Sequence, residues 1–374
     1  MFSLFNNTPK RNLNIILDIQ SGLVRGAIVE KDKNGVLHII YIATESNNHK
    51  VHYKDAAHLT KDNLKLVEHV VHKISKELKG NTVHSINHIF SSPWVFSKMK
   101  TIVTQYPEEV SVNAEYIENI VKEEFKKDNS SPDSFIIDRK IFEVRLNGYV
   151  SNEFEGKQAH KIEISQASSV AHREYIDRLK DVTSVIQSKK STYNSALLLQ
   201  FIALRSIFDS KDEYVYVHTH SELTDMVVVK NGQCKNISSF PIGLSTILRK
   251  ISNSTKGDIE STKSLISIYQ DGKLSEAETS RLNTVIAPIA EEWVSMLKAS
   301  ISSTVSTDNI PKTIHLTAHN YFPLFKSWLN SSGIQNLNIV EHDMIKFDSD
   351  IVFEKYTKES NMVHMYAIAL HDVL

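Results

Sequence analysis

The sequence predicts an α/β protein of two lobes, with a smaller α+β unit set into the first. Three observations predict it. A strand–turn–strand pattern ending in Asn-Gly occurs twice, once early and once past the middle. Around both copies, apolar strand segments alternate with amphipathic helical ones. Between them, from about Ile86 to Lys180, a strand-rich stretch has its own strand–helix–strand–strand–helix order. A chain of 374 residues is long enough to bury the cores this division requires.

The first copy, "NIILDIQSGLVRGAIVEKDKNGVLHII", runs from Asn14 to Ile40, and the second, "YVYVHTHSELTDMVVVKNG", from Tyr214 to Gly232. Laid over each other without gaps, Asp18 falls on His218, Gln20 on His220, Ser21 on Ser221 and Leu23 on Leu223. Ala27-Ile28-Val29 likewise falls on Val227-Val228-Val229. A spacing shared over strand, turn and Asn-Gly is more than two arbitrary meanders would show.

The remaining elements follow in order. Asp62 to Leu78 places Leu66, Val67, Val70, Val71, Ile74 and Leu78 on one helical face, with Gly80 as a stop. Ile86 to Val103 reads as strands around "SSPW", Asn113 to Lys127 as a helix, and Ile136 to Leu146 and Lys161 to Ile164 as strands. Ser195 to Phe208 is an apolar helix. Helices are expected near Leu244–Ile251, Asp258–Tyr269 and Ser275–Ser302. A strand at Thr313–Ala318, a helix through Trp328, a strand at Asn338–Val340 and a last helix complete the chain. The expected division is a tail at 1–11, a first lobe of 12–85 with 181–208, an insert at 86–180, and a second lobe at 209–374 whose helical part is 244–308.

Composition excludes several classes. The 43 Lys and Arg nearly cancel 44 Asp and Glu, so nothing argues for nucleic acid as a partner. One cysteine, Cys234, allows no internal disulfide framework; it reads as an inert core thiol in a reducing compartment. No apolar run is long enough to span a bilayer and no signal-type segment opens the chain, so a cytoplasmic protein is expected. Glycine is scarce: 11 residues, where ordinary usage of roughly 7% would give more than twice that. No P-loop, dinucleotide fingerprint or nucleophile elbow is present.

With these residues in place, the chain resembles the actin-like ATPase superfamily, and within it the bacterial FtsA and PilM branch. "LDIQSGLVRGAIVE" looks like the first phosphate motif of that family and "VHTHSELTDMVVVKNG" like the second. "SSFPIGLSTILRKI" resembles the segment where a Pro-x-Gly, here Pro241 and Gly243, precedes a helix. "IESTK" resembles the helix whose Glu and Lys approach the ribose or base, which implies Glu260 and Lys263. "IHLTAHNYF", with Thr317, Ala318 and His319, resembles the adenosine motif, and the segment ending "NGYVSNEFEGKQAHKIEIS" resembles the SHS2-type subdomain of that branch. The closing "MYAIALHDVL" resembles the family's final helix without its usual glycine. The resemblance implies a two-lobed actin-like fold built on a ribonuclease-H-like repeat, with an inserted SHS2-type α+β subdomain.

The departures gather where a nucleotide would sit. The family's hairpin glycines let backbone N–H groups reach phosphates because no Cβ intervenes. This chain has Gln20 and His220 at those positions, and His218 where an aspartate would attend the metal. The paired glycines of the adenosine motif are Ala318 and His319. Asp18 is the one candidate ligand for Mg²⁺, which prefers oxygen donors to histidine. The positions carried over as a weak or relic nucleotide site are therefore Asp18, Gln20, Ser21, Gly22, His218, His220, Glu222, Thr224, Asp225, Gly243, Glu260, Lys263, Thr317, Ala318 and His319. A cleft crowded by Gln20, His220 and His319 is expected.

Other constellations are weak. His218 and His220 share a strand face but lack a third ligand, and His69 with His72 reads as helix surface. Ser91, Ser92 and His88 are neighbours in sequence, which is no triad. Asp343, Asp348 and Asp350 read as a solvated loop and "KEEFKKD" as the polar face of a helix. Phe2, Leu4 and Phe5 with Lys10 and Arg11 fit a weak membrane or groove contact, or simply a tail.

The expected function is a non-catalytic actin-like scaffold at the cytoplasmic face of a membrane, in a pilus-type or division-type assembly. It would meet protein partners or copies of itself through the insert, with no cofactor. The PilM side is favoured because no amphipathic membrane helix follows the closing helix; proteins of that type are recruited by a membrane partner's short cytoplasmic peptide. The alternative is a polymerising ATPase or switch that holds ATP and Mg²⁺ through Asp18, Ser21, Thr224, Asp225, Glu260 and Lys263. A sugar kinase of the same superfold is a distant third.

Overall fold

The computed structural model describes residues 13–47, 55–128, 132–151, 153–207, 212–303, 310–341, 351–353 and 361–371. The expected tail at 1–11 and the loop of Asp343, Asp348 and Asp350 lie outside them.

The chain opens with an antiparallel meander of β1 (Leu13–Ile19), β2 (Leu23–Lys31) and β3 (Leu37–Ser46). Every residue of β1 is buried, because the strand is covered on both faces. The turn at Asn34-Gly35 is wider than a two-residue hairpin: Asp32 Oδ1 accepts from the N–H of both Asn34 and Val36. α1 (Ala56–Leu78) begins well before the expected Asp62, because Asp55 caps it by accepting from the N–H of His58. It buries Leu66, Val67, Val70, Val71, Ile74 and Leu78, and it stops where Lys79 and Gly80 take positive φ.

β4 (Val83–Phe90) lies parallel to β1, one strand in from the edge of the first sheet. Its His88 is buried, with Nδ1 donating to the carbonyl of Thr192 at 3.0 Å and the ring stacked on Tyr193 at 4.9 Å. Nε2 has no hydrogen-bond partner, so burial pushes the pKa down to about 4 from 6.5. The unfolded chain therefore binds the extra proton first. Its share of stability is complete above pH 6.5 and is lost as pH falls toward 4. Between those limits, urea unfolding is expected to show a pH-linked loss smaller by roughly 3 kcal/mol in His88→Phe, which keeps the stack; His315 and His364, lowered likewise to about 4, act alike in both proteins. Equal pH slopes in the two proteins would contradict this.

The insert is a four-stranded antiparallel sheet with one helix. Its elements are β5 (Val95–Val112), α2 (Ala114–Asp128), β6 (Ser134–Leu146), β7 (Tyr149–Val150) and β8 (Lys157–His172), in sheet order β5-β8-β6-β7. α2 covers a private core of Ile102, Val112, Ile117, Val121, Val144 and Ile164. α3 (Arg173–Thr183) packs on α1, and β9 (Ser188–Ser195) pairs in parallel with β4. The insert's own sheet thus spans Val95 to His172 rather than 86–180, since β4 and α3 lie in the layers of the first lobe. β4 is not a strand entering the insert.

α4 (Ala196–Ile207) leads to the second lobe. There β10 (Tyr214–Thr219), β11 (Thr224–Lys230) and β12 (Gln233–Phe240) repeat the meander. α5 (Leu244–Thr255), α6 (Ile259–Gln270) and α7 (Glu276–Ser302) follow, the last started by a Ser275–Glu278 capping box. β13 (Thr313–Thr317) runs parallel to β10, and after α8 (Phe322–Asn330) β14 (Asn338–Glu341) runs parallel to β13. β15 (Ile351–Phe353) returns to the first sheet beside β3, and α9 (Asn361–Ala369) ends the described chain.

The two sheets carry the same topology: β3-β2-β1-β4-β9 in one, extended by β15, and β12-β11-β10-β13-β14 in the other. This is the expected two-lobed, ribonuclease-H-like repeat of an actin-like fold. α4 and α9 lie between the sheets, in a core that joins Ile16, Ala27 and Val29 to Tyr214, Tyr216 and Val227. α1 with α3 covers the outer face of the first sheet, and α5 to α8 that of the second.

Candidate functional site

The two meanders meet at their first turns. In each, the turn is closed by backbone: Gln20 N–H donates to Leu23 O at 2.9 Å, and His220 N–H to Leu223 O at 3.1 Å. The gapless overlay of the two segments is thus matched hydrogen bond for hydrogen bond.

The turns then close on each other. Ser21 Oγ accepts from the N–H of Glu222 at 3.1 Å across the lobes. A Cβ placed on Gly22 would lie 2.5 Å from Ser221 Oγ, so only glycine permits this approach. Gly243 serves the same end behind the second turn, where a Cβ would meet Leu223 N at 2.4 Å and His220 O at 2.5 Å. This lets the first N–H groups of α5 dock: Leu244 N–H donates to His220 O at 2.8 Å and Ser245 N–H to Ser221 O at 2.6 Å. A helix N-terminus is a ready anion site, and here its donors hold the turn's own carbonyls.

Charge at the seam is internally matched. Asp18 is fully buried; its Oδ2 accepts from Arg25 Nη1 at 2.8 Å and from Gln20 Nε2 at 3.0 Å. Burial pushes its carboxyl above the ordinary range, and the Arg25 guanidinium opposes that. Across the seam, buried His220 Nε2 lies 3.1 Å from Asp225 Oδ2, at ion-pair distance but outside hydrogen-bond geometry. Ser239 Oγ donates to Asp225 Oδ1 at 2.6 Å and is itself 2.8 Å from Ser92 Oγ. Burial alone would raise Asp225, but His220 and the serines hold it below its ordinary value. A guanidinium seated on Asp18 is a poor neighbour for Mg²⁺, and among the described residues no group of three acidic, His or Cys side chains is placed to hold a metal.

The other sequence-derived positions are distributed around this seam. His218 lies at the end of β10, with Nδ1 3.4 Å from Gln200 Nε2; His220 lies beyond the strand, and the two rings are 5.4 Å apart. Glu222 receives both guanidinium nitrogens of Arg249, at 2.9 and 2.6 Å. Thr224 is structural: its hydroxyl donates to Ile242 O and accepts from Trp293 Nε1. Glu260 and Lys263 pair with each other on α6 at 3.2 Å, with Glu260 more than half exposed. Thr317 is buried beside the Tyr216 hydroxyl, and Ala318 is buried at the start of the turn that leads to α8. The backbone of His319 opens that turn, while its side chain lies outside what the structure describes. Cys234 is buried, and burial pushes its thiol up to about 12, which suits the inert reading.

Sequence reading missed Arg25, Gln200, Tyr366 and Arg249. Arg25 carried a signal: it is a lone charge in the apolar run of β2, and the same overlay sets it on Asp225. The ladders pair Asp18 with Arg25 and His218 with Asp225, so the two hairpins carry acid and base in opposite order. Gln200 and Tyr366 had none. Gln200 Nε2 donates to the Tyr366 hydroxyl at 3.1 Å, and that hydroxyl lies 3.5 Å from Asp18 Oδ1.

No protein-family model and no curated protein matches the sequence. Among solved structures, a chain of the PilM–PilN type IV pilus biogenesis complex is similar over 96% of both chains, with a TM-score of 0.65 at 12% identity. The ethanolamine utilization protein EutJ from Carboxydothermus hydrogenoformans matches 88% of this chain and 84% of its own, with a TM-score of 0.43 at 10% identity. A Bacteroides thetaiotaomicron protein of actin-like ATPase fold matches 90% of this chain and 94% of its own, with a TM-score of 0.43 at 9% identity. The first of these carries the comparison: the protein has an actin-like fold that is similar, along nearly its whole length, to that of PilM.

Proposed function

We propose that this protein is a non-catalytic, PilM-type scaffold. It works through protein–protein contacts, at the cytoplasmic face of a membrane, in a pilus-type assembly. One observation carries the reading: the hairpin turns that would clasp phosphate touch each other, Gly22 against Ser221, with the donors of α5 capped by the turn's own carbonyls. A nucleotide would have to displace these contacts and compete with Arg25 for Asp18. The likeness to a complex that pairs PilM with PilN supports a protein partner of similar kind. The insert, an SHS2-type unit in this reading, offers its own folded body for such a partner or for a second copy.

Calorimetric titration with ATP and ADP, with and without Mg²⁺, is expected to give no saturable heat up to millimolar nucleotide. The second reading, an ATP-dependent switch, has in its favour that Glu260 and Lys263 keep an accessible place on α6, near Tyr321, whose pKa burial raises first and the Glu260 charge second. Saturable, Mg²⁺-dependent binding would establish that reading and end the first. A division-type assembly would differ in partner, not in this result.

A further inference from the structure

A cavity of about 270 Å³ lies where the insert, the first lobe and the second lobe come together. Its apolar walls are Phe90, Val95, Leu197 and Ile237, and Phe96 stands exposed at its rim. Asp225 is part of its lining, together with the hydroxyl residues Ser92, Ser97, Ser238 and Ser239, and no Lys, Arg or His lines it.

We propose that this cavity binds a primary alkylammonium group, supplied by a free aliphatic amine or by a lysine side chain of a partner. Four features argue for that chemistry. Asp225 is a buried carboxylate whose Oδ1 accepts from Ser239 and whose Oδ2 lies 3.1 Å from His220 Nε2; with about four lone-pair sites on its two oxygens, it can accept a further donor. The carboxyl is held below its ordinary range, hence charged at neutral pH. Ser238 Oγ is buried in the same lining without a hydrogen-bond partner, and such a group calls for a polar guest. An ammonium is a compact charge with three divergent donors, which suits a carboxylate ringed by hydroxyls better than a planar guanidinium does, and the apolar walls suit its methylene stem.

The site faces the seam from behind. Asp225 both lines the cavity and pairs with His220, so a bound ammonium would share a carboxylate that already serves the seam. Because all three bodies contribute walls, occupancy would fasten the insert to the second lobe. This proposal rests on the reading in which Asp225 does not serve a nucleotide; the amine titration is run without nucleotide, so the two fail separately.

Calorimetry of the full chain with 1-aminobutane and with 1-butanol tests it. The amine is expected to bind about 10- to 100-fold more tightly than the alcohol, the worth of a charge-assisted hydrogen bond. Asp225→Asn should erase that preference, and Ser238→Leu, which fills the cavity and leaves Asp225 intact, should abolish binding; circular dichroism confirms that each variant is folded. Nα-acetyl-lysine N-methylamide supplies the second arm. Tighter binding than 1-aminobutane assigns the site to a partner's lysine, and weaker binding to a free amine. No saturable heat, equal affinity for butanol, or binding unchanged in Ser238→Leu would overturn the proposal.

Discussion

Replacing Arg25 with methionine will destabilise the fold by about 3–5 kcal/mol, the cost of leaving one partner of a buried ion pair alone. Arg25 and Asp18 are 2% and 0% exposed, and the guanidinium is the only cation that the described hydrogen bonds place on that carboxylate. Without it, Asp18 keeps a Gln20 amide and a distant Tyr366 hydroxyl, too little to hold a charge in the interior. The carboxyl would protonate instead, so the variant should lose more stability at pH 8 than at pH 5. Removing both charges, as Asp18→Asn with Arg25→Met, should recover most of the loss, because neither side is then orphaned. Urea midpoints of the four proteins give the coupling directly. A loss below about 1 kcal/mol in Arg25→Met would mean that the pair contributes no more than a surface bridge.

A second large effect is expected far from the seam. Trp293→Ala should cost about 3–5 kcal/mol, as large-to-small changes of core aromatics do. Trp293 is fully buried on α7, and its ring lies 4.9 Å from Phe325 and 6.1 Å from both Phe240 and Trp328. It thus ties a strand and two helices of the second lobe together. Its Nε1 also donates to Thr224 Oγ1 at 3.1 Å, so the loss reaches the foot of the second turn. Trp293→Phe should cost far less, since it keeps most of the volume and gives up one hydrogen bond. Equal losses in the two variants would place the energy in the indole N–H rather than in packing. Thermal unfolding of both decides.

The repeat was legible because its signals are local. Turn chemistry, alternation and the Asn-Gly pair act within a dozen residues; Asn231 and Gly232 both take the positive φ that a tight hairpin needs. β9 was not legible. "SKKSTYNS" has almost nothing apolar, because it is an edge strand whose lysines face water, and only its pairing with β4 reveals it. β15 is three residues long and is defined by β3 alone. The limits of the insert were misplaced for a related reason: β4 and β5 are consecutive strands around "SSPW", and nothing in either says which sheet it joins. At the site, the bulk of Gln20 and His220 could be read from the chain. What that bulk does could not, since Asp18, Gln200 and Tyr366 meet across 166 and 348 residues.

The middle helical layer has a consequence for biosynthesis. A ribosome releases β1 long before α9, the helix that covers one of its faces: Tyr366 reaches Asp18 across 348 residues. At elongation rates of roughly 5–20 residues per second, that interval is on the order of 20–70 seconds. Throughout it, the face of the first meander that carries Ile16, Ala27 and Val29 lacks α9. The outer cores of both lobes are built from earlier elements and need no such wait. Until α9 emerges, the nascent protein is thus two lobes with finished outer cores and an unsealed layer between them, which makes it a natural client for chaperones that shield apolar strands.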